Sequence, residues 1–182
     1  MAVEVVRYAT AGWGVGELWL EEGVPVWHEL PRPKSPYPHP GWGADPPPSR
    51  STVPEKDASP CDGSGPKVEQ LVHRLAAYFA GERVSFADVA IDLGWCTPFQ
   101  RAVADTLRDV PYGETVTYGE LAALAGHPNA QRAAGTFCAH NRLPLILPCH
   151  RVVSAGGIGS YGSLGIEYKR GLLELEGSAH AF

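Results

Sequence analysis

The sequence predicts an α+β fold: a small N-terminal antiparallel sheet with one helix, then a mainly helical C-terminal unit containing a helix-turn-helix. Three observations carry this. Residues 3–8, 17–20 and 24–30 are short β-branched or aromatic runs punctuated by Gly12, Gly14, Gly16 and Gly23, the pattern of a small antiparallel sheet. Eleven of the seventeen prolines then fall within residues 31–66, around Pro46-Pro47-Pro48, which reads as a linker or long mobile loop. From residue 67 onward the apolar positions recur at helical spacing. The expected units are residues 1–90 and 91–182.

The elements follow in order. Val68, Leu71, Val72, Leu75 and Phe79 form one face of a helix over residues 67–80, stopped by Gly81. Thr97-Pro98 is a helix start, with threonine as N-cap and proline at the first helical position; Phe99, Val103, Leu107 and Val110 make its apolar face. Thr117 with Glu120 three residues on is a capping box, opening a helix whose Leu121 and Leu124 are expected to face inward and which Gly126 ends. A further helix is expected over residues 129–139. Two short helices joined by a tight turn are a helix-turn-helix candidate, although most such pairs are simply packed. Residues 143–147 are a short apolar run, residues 156–165 a glycine-rich loop around Tyr161, and residues 166–176 the last helix, with Leu172 and Leu173 inward.

Composition narrows the function. Apolar content of 44% and charged content of 19% describe an ordinary globular protein. Residues 1–10 hold no apolar leader segment and no run approaches the ~20 apolar residues of a membrane span, so a cytoplasmic protein without membrane association is expected. The cysteines Cys61, Cys96, Cys138 and Cys149 form no CxxC pair and no zinc-like cluster with histidine, so each is read as a reduced thiol, Cys96 and Cys138 as packing. The net charge of −5 argues weakly against nucleic acid, but residues 97–153 carry Arg101, Arg108, Arg132, Arg142 and Arg151 against Asp105, Asp109, Glu114 and Glu120. That local excess permits a DNA face without demonstrating one.

The chemistry centres on Cys149 in Pro148-Cys149-His150-Arg151. A nucleophilic cysteine must lose its proton, commonly to a histidine oriented by a carboxylate. Adjacency does not bring Cys149 and His150 together in extended chain, and alone Cys149 reads as a core thiol. Glu176, a carboxylate at the end of an apolar stretch, is a candidate to orient His150. Asn141 is a candidate to tie the preceding helix to the 143–147 run.

Leu145-Ile146-Leu147-Pro148-Cys149-His150-Arg151-Val152-Val153 resembles the active-site signature of the O6-alkylguanine-DNA alkyltransferases, the methylated-DNA–protein-cysteine methyltransferases. Thr97-Pro98-Phe99-Gln100, Pro111-Tyr112-Gly113-Glu114, Thr117-Tyr118, Asn129-Ala130, Arg132-Ala133, Gly135, Asn141 and residues 172–176 fall in the family's order and spacing. The resemblance spans residues 97–177. The N-terminal sheet and the helix at residue 67 are similar to the family's N-terminal domain, a reduced ribonuclease-H-like sheet.

The resemblance implies roles. Cys149 would accept the alkyl group irreversibly, once per molecule, from guanine O6 in double-stranded DNA. His150 would take the thiol proton through a water, held by Glu176, while Asn141 would brace the turn. Tyr118 would assist the departing base. Val152, Tyr161, Gly162, Ser163 and Lys169 would line the pocket. Arg132 would fill the stack after base flipping, with Thr117, Tyr118, Ala130, Gln131, Ala133 and Gly135 beside it in the minor groove. A monomer is implied, with cooperative binding along DNA open. Family members usually carry a Gly-Gly pair and one residue fewer where this chain has Gly162-Ser163-Leu164-Gly165-Ile166-Glu167-Tyr168. Some carry a structural zinc near the place of His28; the cysteine partners are absent here, so neither metal nor cofactor is expected. A non-catalytic lesion-binding relative would lack Cys149, a helix-turn-helix regulator would carry base-reading side chains where Ala130, Ala133 and Ala134 stand, and a cysteine hydrolase would need an oxyanion hole.

Overall fold

A computed structural model describes residues 3–32 and 66–178. Strands β1 (Val3–Thr10), β2 (Gly14–Glu21) and β3 (Val24–Arg32) form an antiparallel meander in the order β1-β2-β3. Alternation does the work here. Leu18 and Leu20 of β2 are fully buried, and Tyr8, His28 and Leu30 join them on the same face. Tyr8 pairs with Gly16 across the sheet, and its ring lies where any side chain at Gly16 would stand. Pro31 and Arg32, expected in the proline-rich loop, instead complete β3: as the last residues of a terminal strand they need few ladder donors, which proline can satisfy. The remainder of that expected loop, residues 33–65, lies outside the described residues, as does Cys61.

Helix α1 (Pro66–Phe79) covers the sheet with Val68, Leu71, Leu75, Tyr78 and Phe79 buried. Trp13, on the β1–β2 turn, packs on Phe79 at 5.3 Å and on Tyr168 at 5.2 Å between ring centroids. Helix α2 (Pro98–Arg108) starts as its sequence predicts: Thr97 Oγ1 accepts from Gln100 N, and Gln100 returns a bond to the Thr97 N–H. The same reciprocal cap joins Thr117 and Glu120 at the start of α3 (Tyr118–Leu124).

Helix α4 (Gln131–Ala139) begins two residues later than expected. Asn129 has φ +72°, a left-handed conformation that asparagine tolerates but a helix does not, so it belongs to the turn. Leu124 is also not inward; it is 68% exposed. The buried stripe of α3 runs through Leu121 and Ala122, with Ala125 packed behind them, and Leu124 falls about 100° away from its centre at 3.6 residues per turn. α3 and α4 pack on each other. Two-residue strands β4 (Val116–Thr117) and β5 (Val152–Val153) pair in parallel. That pairing fixes the entrance to α3 beside the segment that follows Cys149. A single 3₁₀ turn holds Cys149–Arg151, another Gly162–Leu164, and α5 (Gly165–Leu175) closes the chain. The buried side chains form one continuous cluster from Tyr8 to Leu172. No helix among the described residues is long and apolar enough to cross a membrane.

Candidate active site

Cys149 is 6% exposed, at the end of the buried 143–147 run. Leu145 within that run has φ +71°, so the chain doubles back there rather than continuing as a strand. Asn141 holds the bend from inside. Its Oδ1 accepts from Leu143 N at 3.0 Å, and its Nδ2 donates to Leu147 O at 2.7 Å and to Cys149 Sγ at 3.1 Å. The sequence anticipated the backbone bonds; the bond to the thiol is additional. Burial pushes the Cys149 thiol up, and the Asn141 amide, Lys169 and the Tyr161 hydroxyl each pull it back in part.

Behind the thiol, Glu176 is the hub. Oε1 accepts from Tyr78 Oη at 2.7 Å, His150 Nε2 at 2.7 Å and Arg151 Nη2 at 2.9 Å, and Oε2 accepts from Arg151 Nε at 2.9 Å and Gly113 N at 3.0 Å. The side chains of His150 and Glu176 are both 0% exposed. Burial alone would raise the Glu176 carboxyl, but the hydrogen bonds from His150 and Arg151 and the Arg151 charge outweigh it and hold it well below the ordinary carboxylate range. Burial lowers His150, and Glu176 restores only part of that, so the imidazole is neutral at pH 7. Its proton then sits on Nε2, toward the carboxylate. Nδ1 is the free base and has no protein partner among the described residues.

Sequence reasoning missed three members of this network. Tyr78 lies on the buried face of α1, at helical spacing from Leu71 and Leu75, and its hydroxyl was the available signal: a buried phenol needs a partner. Arg151 was visible within the signature as a cation two residues from the thiol; it also donates from Nη1 to Val110 O at 2.7 Å. Gly113 has φ +81°, and a Cβ there would stand 2.9 Å from the Glu176 carbonyl oxygen, so the 111–114 turn can approach Glu176 only with glycine.

The remaining residues divide into two groups. Lys169, Tyr161 and Tyr118 stand near the thiol, and Val152 joins them through Lys169. Lys169 is fully buried, donates from Nζ to Val152 O at 2.6 Å and to Ser160 O at 3.3 Å, and lies 5.9 Å from the Tyr118 ring centroid. Burial lowers its ammonium to about 8, opposed by Cys149 and Cys138. Tyr161 stacks on Tyr168 at 6.2 Å, and Tyr168 Oη donates to Pro31 O at 2.7 Å, tying this wall to β3. Tyr118 is half-buried, with Gly135 and Gly159 packed on its ring. Gly162 and Ser163, by contrast, are exposed on their 3₁₀ turn.

The outer face of α4 presents Gln131, Arg132 and Ala133 to solvent, with Ala130 and Gly135 half-buried. No ion pair or side-chain hydrogen bond holds the Arg132 guanidinium among the described residues, unlike that of Arg151. Thr117 has its hydroxyl oxygen committed to the α3 cap. His28 has both ring nitrogens engaged, Nε2 with Tyr8 Oη at 2.6 Å and Nδ1 with Pro144 O at 2.7 Å.

Residues 98–178 match the model of the 6-O-methylguanine DNA methyltransferase DNA-binding domain. The methylated-DNA–protein-cysteine methyltransferase of Mycobacterium tuberculosis is 51% identical over 108 residues, covering 59% of this chain and 64% of the relative. That of Methanopyrus kandleri is 41% identical over 128 residues, covering 70% of this chain and 93% of the relative. The match to the mycobacterial relatives therefore spans 64% of their length. Among solved structures, M. tuberculosis OGT in complex with DNA aligns with a TM-score of 0.69 at 35% identity, over 97% of this chain and 93% of that one.

Proposed function

Because the chain belongs to the methylated-DNA–protein-cysteine methyltransferase family, we propose that it repairs O6-alkylguanine in double-stranded DNA by moving the alkyl group to Cys149. The observation that carries this is a buried thiol held by Asn141, next in the chain to a neutral imidazole whose Nε2 is locked on the buried Glu176 carboxylate. His150 Nδ1 accepts the Cys149 proton through a bridging water, and Glu176 stabilises the imidazolium that results. The Sγ lone pair then attacks the alkyl carbon in line, the C–O6 bond breaks, its electron pair leaves with guanine, and the proton held by the imidazolium returns through water to the guanine anion. The Tyr118 hydroxyl donates a hydrogen bond to the departing ring. Lys169 and the Asn141 amide favour the thiolate electrostatically. The product is a thioether without an ionisable proton, so each molecule acts once and needs neither metal nor cofactor.

An O6 substituent inside a duplex is out of reach, so the nucleotide is flipped. Residues 91–182 form the alkyltransferase unit, with α3 and α4 as its helix-turn-helix. α4, flanked by Thr117 and Tyr118, lies in the minor groove, where Ala130, Gln131, Ala133 and Gly135 permit close approach. The unpartnered Arg132 guanidinium enters the vacated stack. The protein works as a monomer in the cytoplasm.

Mixing the protein with a duplex containing O6-methylguanine is expected to add one methyl mass to the Cys149 peptide and restore guanine. An unmodified peptide after full contact, or repair beyond one lesion per protein, contradicts the proposal. Arg132→Ala is expected to slow transfer from duplex about tenfold, the loss of about 1.4 kcal/mol of offset to unstacking, while transfer from free O6-benzylguanine is unchanged. Equal slowing with both substrates would place Arg132 outside the flipping step.

A further inference from the structure

We propose that His28 of β3 is a positioning residue for alkyl transfer, clamping the segment between Asn141 and Cys149 by two hydrogen bonds to backbone carbonyls two residues apart. The inference rests on the alkyl-transfer reading above. His28 N donates to Arg142 O at 2.8 Å, and the His28 ring meets Pro144 O through Nδ1 at 2.7 Å. A carbonyl has no proton to give, so Nδ1 carries the hydrogen and Nε2 is the acceptor, filled by the Tyr8 hydroxyl at 2.6 Å. The ring is 3% exposed. Burial lowers it to about 4, against the pull of the Pro144 carbonyl, so this neutral tautomer holds across the physiological range.

The place of these bonds gives them their role. Residues 142–144 sit between Asn141, which holds Cys149 Sγ, and Leu145, whose left-handed backbone turns the chain back toward the thiol. Asn141 fixes this bend from inside and His28 fixes it from outside. No other strand of the sheet reaches the segment with a side chain among the described bonds. The N-terminal sheet thereby sets where the nucleophile stands, without touching substrate.

The test compares His28→Leu, which fills the volume without a donor, with His28→Asn, whose side-chain amide N–H falls where Nδ1–H stands. Two quantities are read well below each variant's Tm: the single-turnover rate of methyl transfer from a duplex bearing O6-methylguanine, and the Kd for the same duplex unmodified. His28→Leu is expected to slow transfer about 10- to 100-fold, the cost of displacing a reacting atom by a fraction of an ångström to an ångström, with Kd unchanged. His28→Asn is expected to restore most of the rate although it loses the Tyr8 bond. Transfer by His28→Leu at the wild-type rate overturns the proposal, and so does a His28→Asn variant as slow as His28→Leu, or a Kd that weakens in step with the rate. Should His28→Leu fail to fold, Tyr8→Phe decides: it leaves the Nδ1 donor in place and is expected to transfer at the wild-type rate, and a tenfold loss overturns the proposal. Wild-type protein that transfers no methyl group to Cys149 sinks the parent reading instead, before any variant is compared.

Discussion

Cys149→Ala is expected to take up no methyl group from O6-methylguanine duplex while binding that duplex as tightly as the wild type. The loss should be complete because no other thiol among the described residues shares the surroundings of Cys149. Cys138 is the nearest thiol in sequence, and burial, the largest cause of its raised thiol and one that remains when Cys149 is gone, leaves little thiolate at neutral pH. A serine in place of Cys149 would do no better, since an alcohol next to a neutral imidazole is a poor nucleophile toward alkyl carbon. Binding should survive because Arg132 and the outer face of α4 are exposed, whereas Cys149 is buried. The stability cost should be small, about 1 kcal/mol, as the substitution removes one sulfur and one partner of the Asn141 amide. Mass analysis of the reacted protein together with a DNA titration checks both halves. Methyl found on Cys138, or binding lost with transfer, would contradict the assignment.

Glu176→Gln should cause the largest combined loss of stability and rate. Both carboxylate oxygens are taken by donors: Tyr78, His150 and Arg151 on Oε1, Gly113 and Arg151 on Oε2. An amide must aim its N–H₂ at one of these sets, donor against donor. It also leaves the Arg151 guanidinium, 9% exposed, without its counter-ion, and breaking such a buried pair costs about 3–5 kcal/mol. His150 loses both its orientation and the charge that stabilises its imidazolium, so transfer should fall about 10²- to 10⁴-fold. Acid dependence supplies a further check. The Glu176 carboxyl is lower in the folded state than in the unfolded chain, so its contribution is fully present above the ordinary carboxylate pKa of about 4.3 and is lost as pH falls below it. Urea unfolding between neutral pH and pH 3 should therefore show the wild type losing its margin over Glu176→Gln. Parallel stability curves would mean that the carboxylate is not the hub the geometry makes it.

Much of this was legible in the residue order, and the legible part is local. The capping boxes at Thr97 and Thr117 are three-residue events, and proline at the first turn of α2 needs no tertiary partner. The strands announced themselves by short β-branched and aromatic runs between glycines, α1 by period, and the thiol by its signature. Where local signals failed, a competing local or packing term decided: Asn129 took a left-handed turn in place of the first residues of α4, and the narrow buried stripe of α3 turned Leu124 outward.

By itself the sequence determined which groups are present: one thiol in a distinctive segment, a histidine beside it, a carboxylate 26 residues on, and helices with caps that start them where they start. Only the tertiary structure decided what these groups are to one another. Tyr78 and Gly113, 98 and 63 residues from Glu176, meet its carboxylate, and His28, 116 residues from Pro144, holds the bend before the thiol. Such contacts leave no periodic trace, because each is a single polar pair formed after helices and strands have packed. Burial then gives them their force: out of water, an unpaired donor or charge costs several kcal/mol, so the fold that pairs all of them around Glu176 is favoured over those that do not.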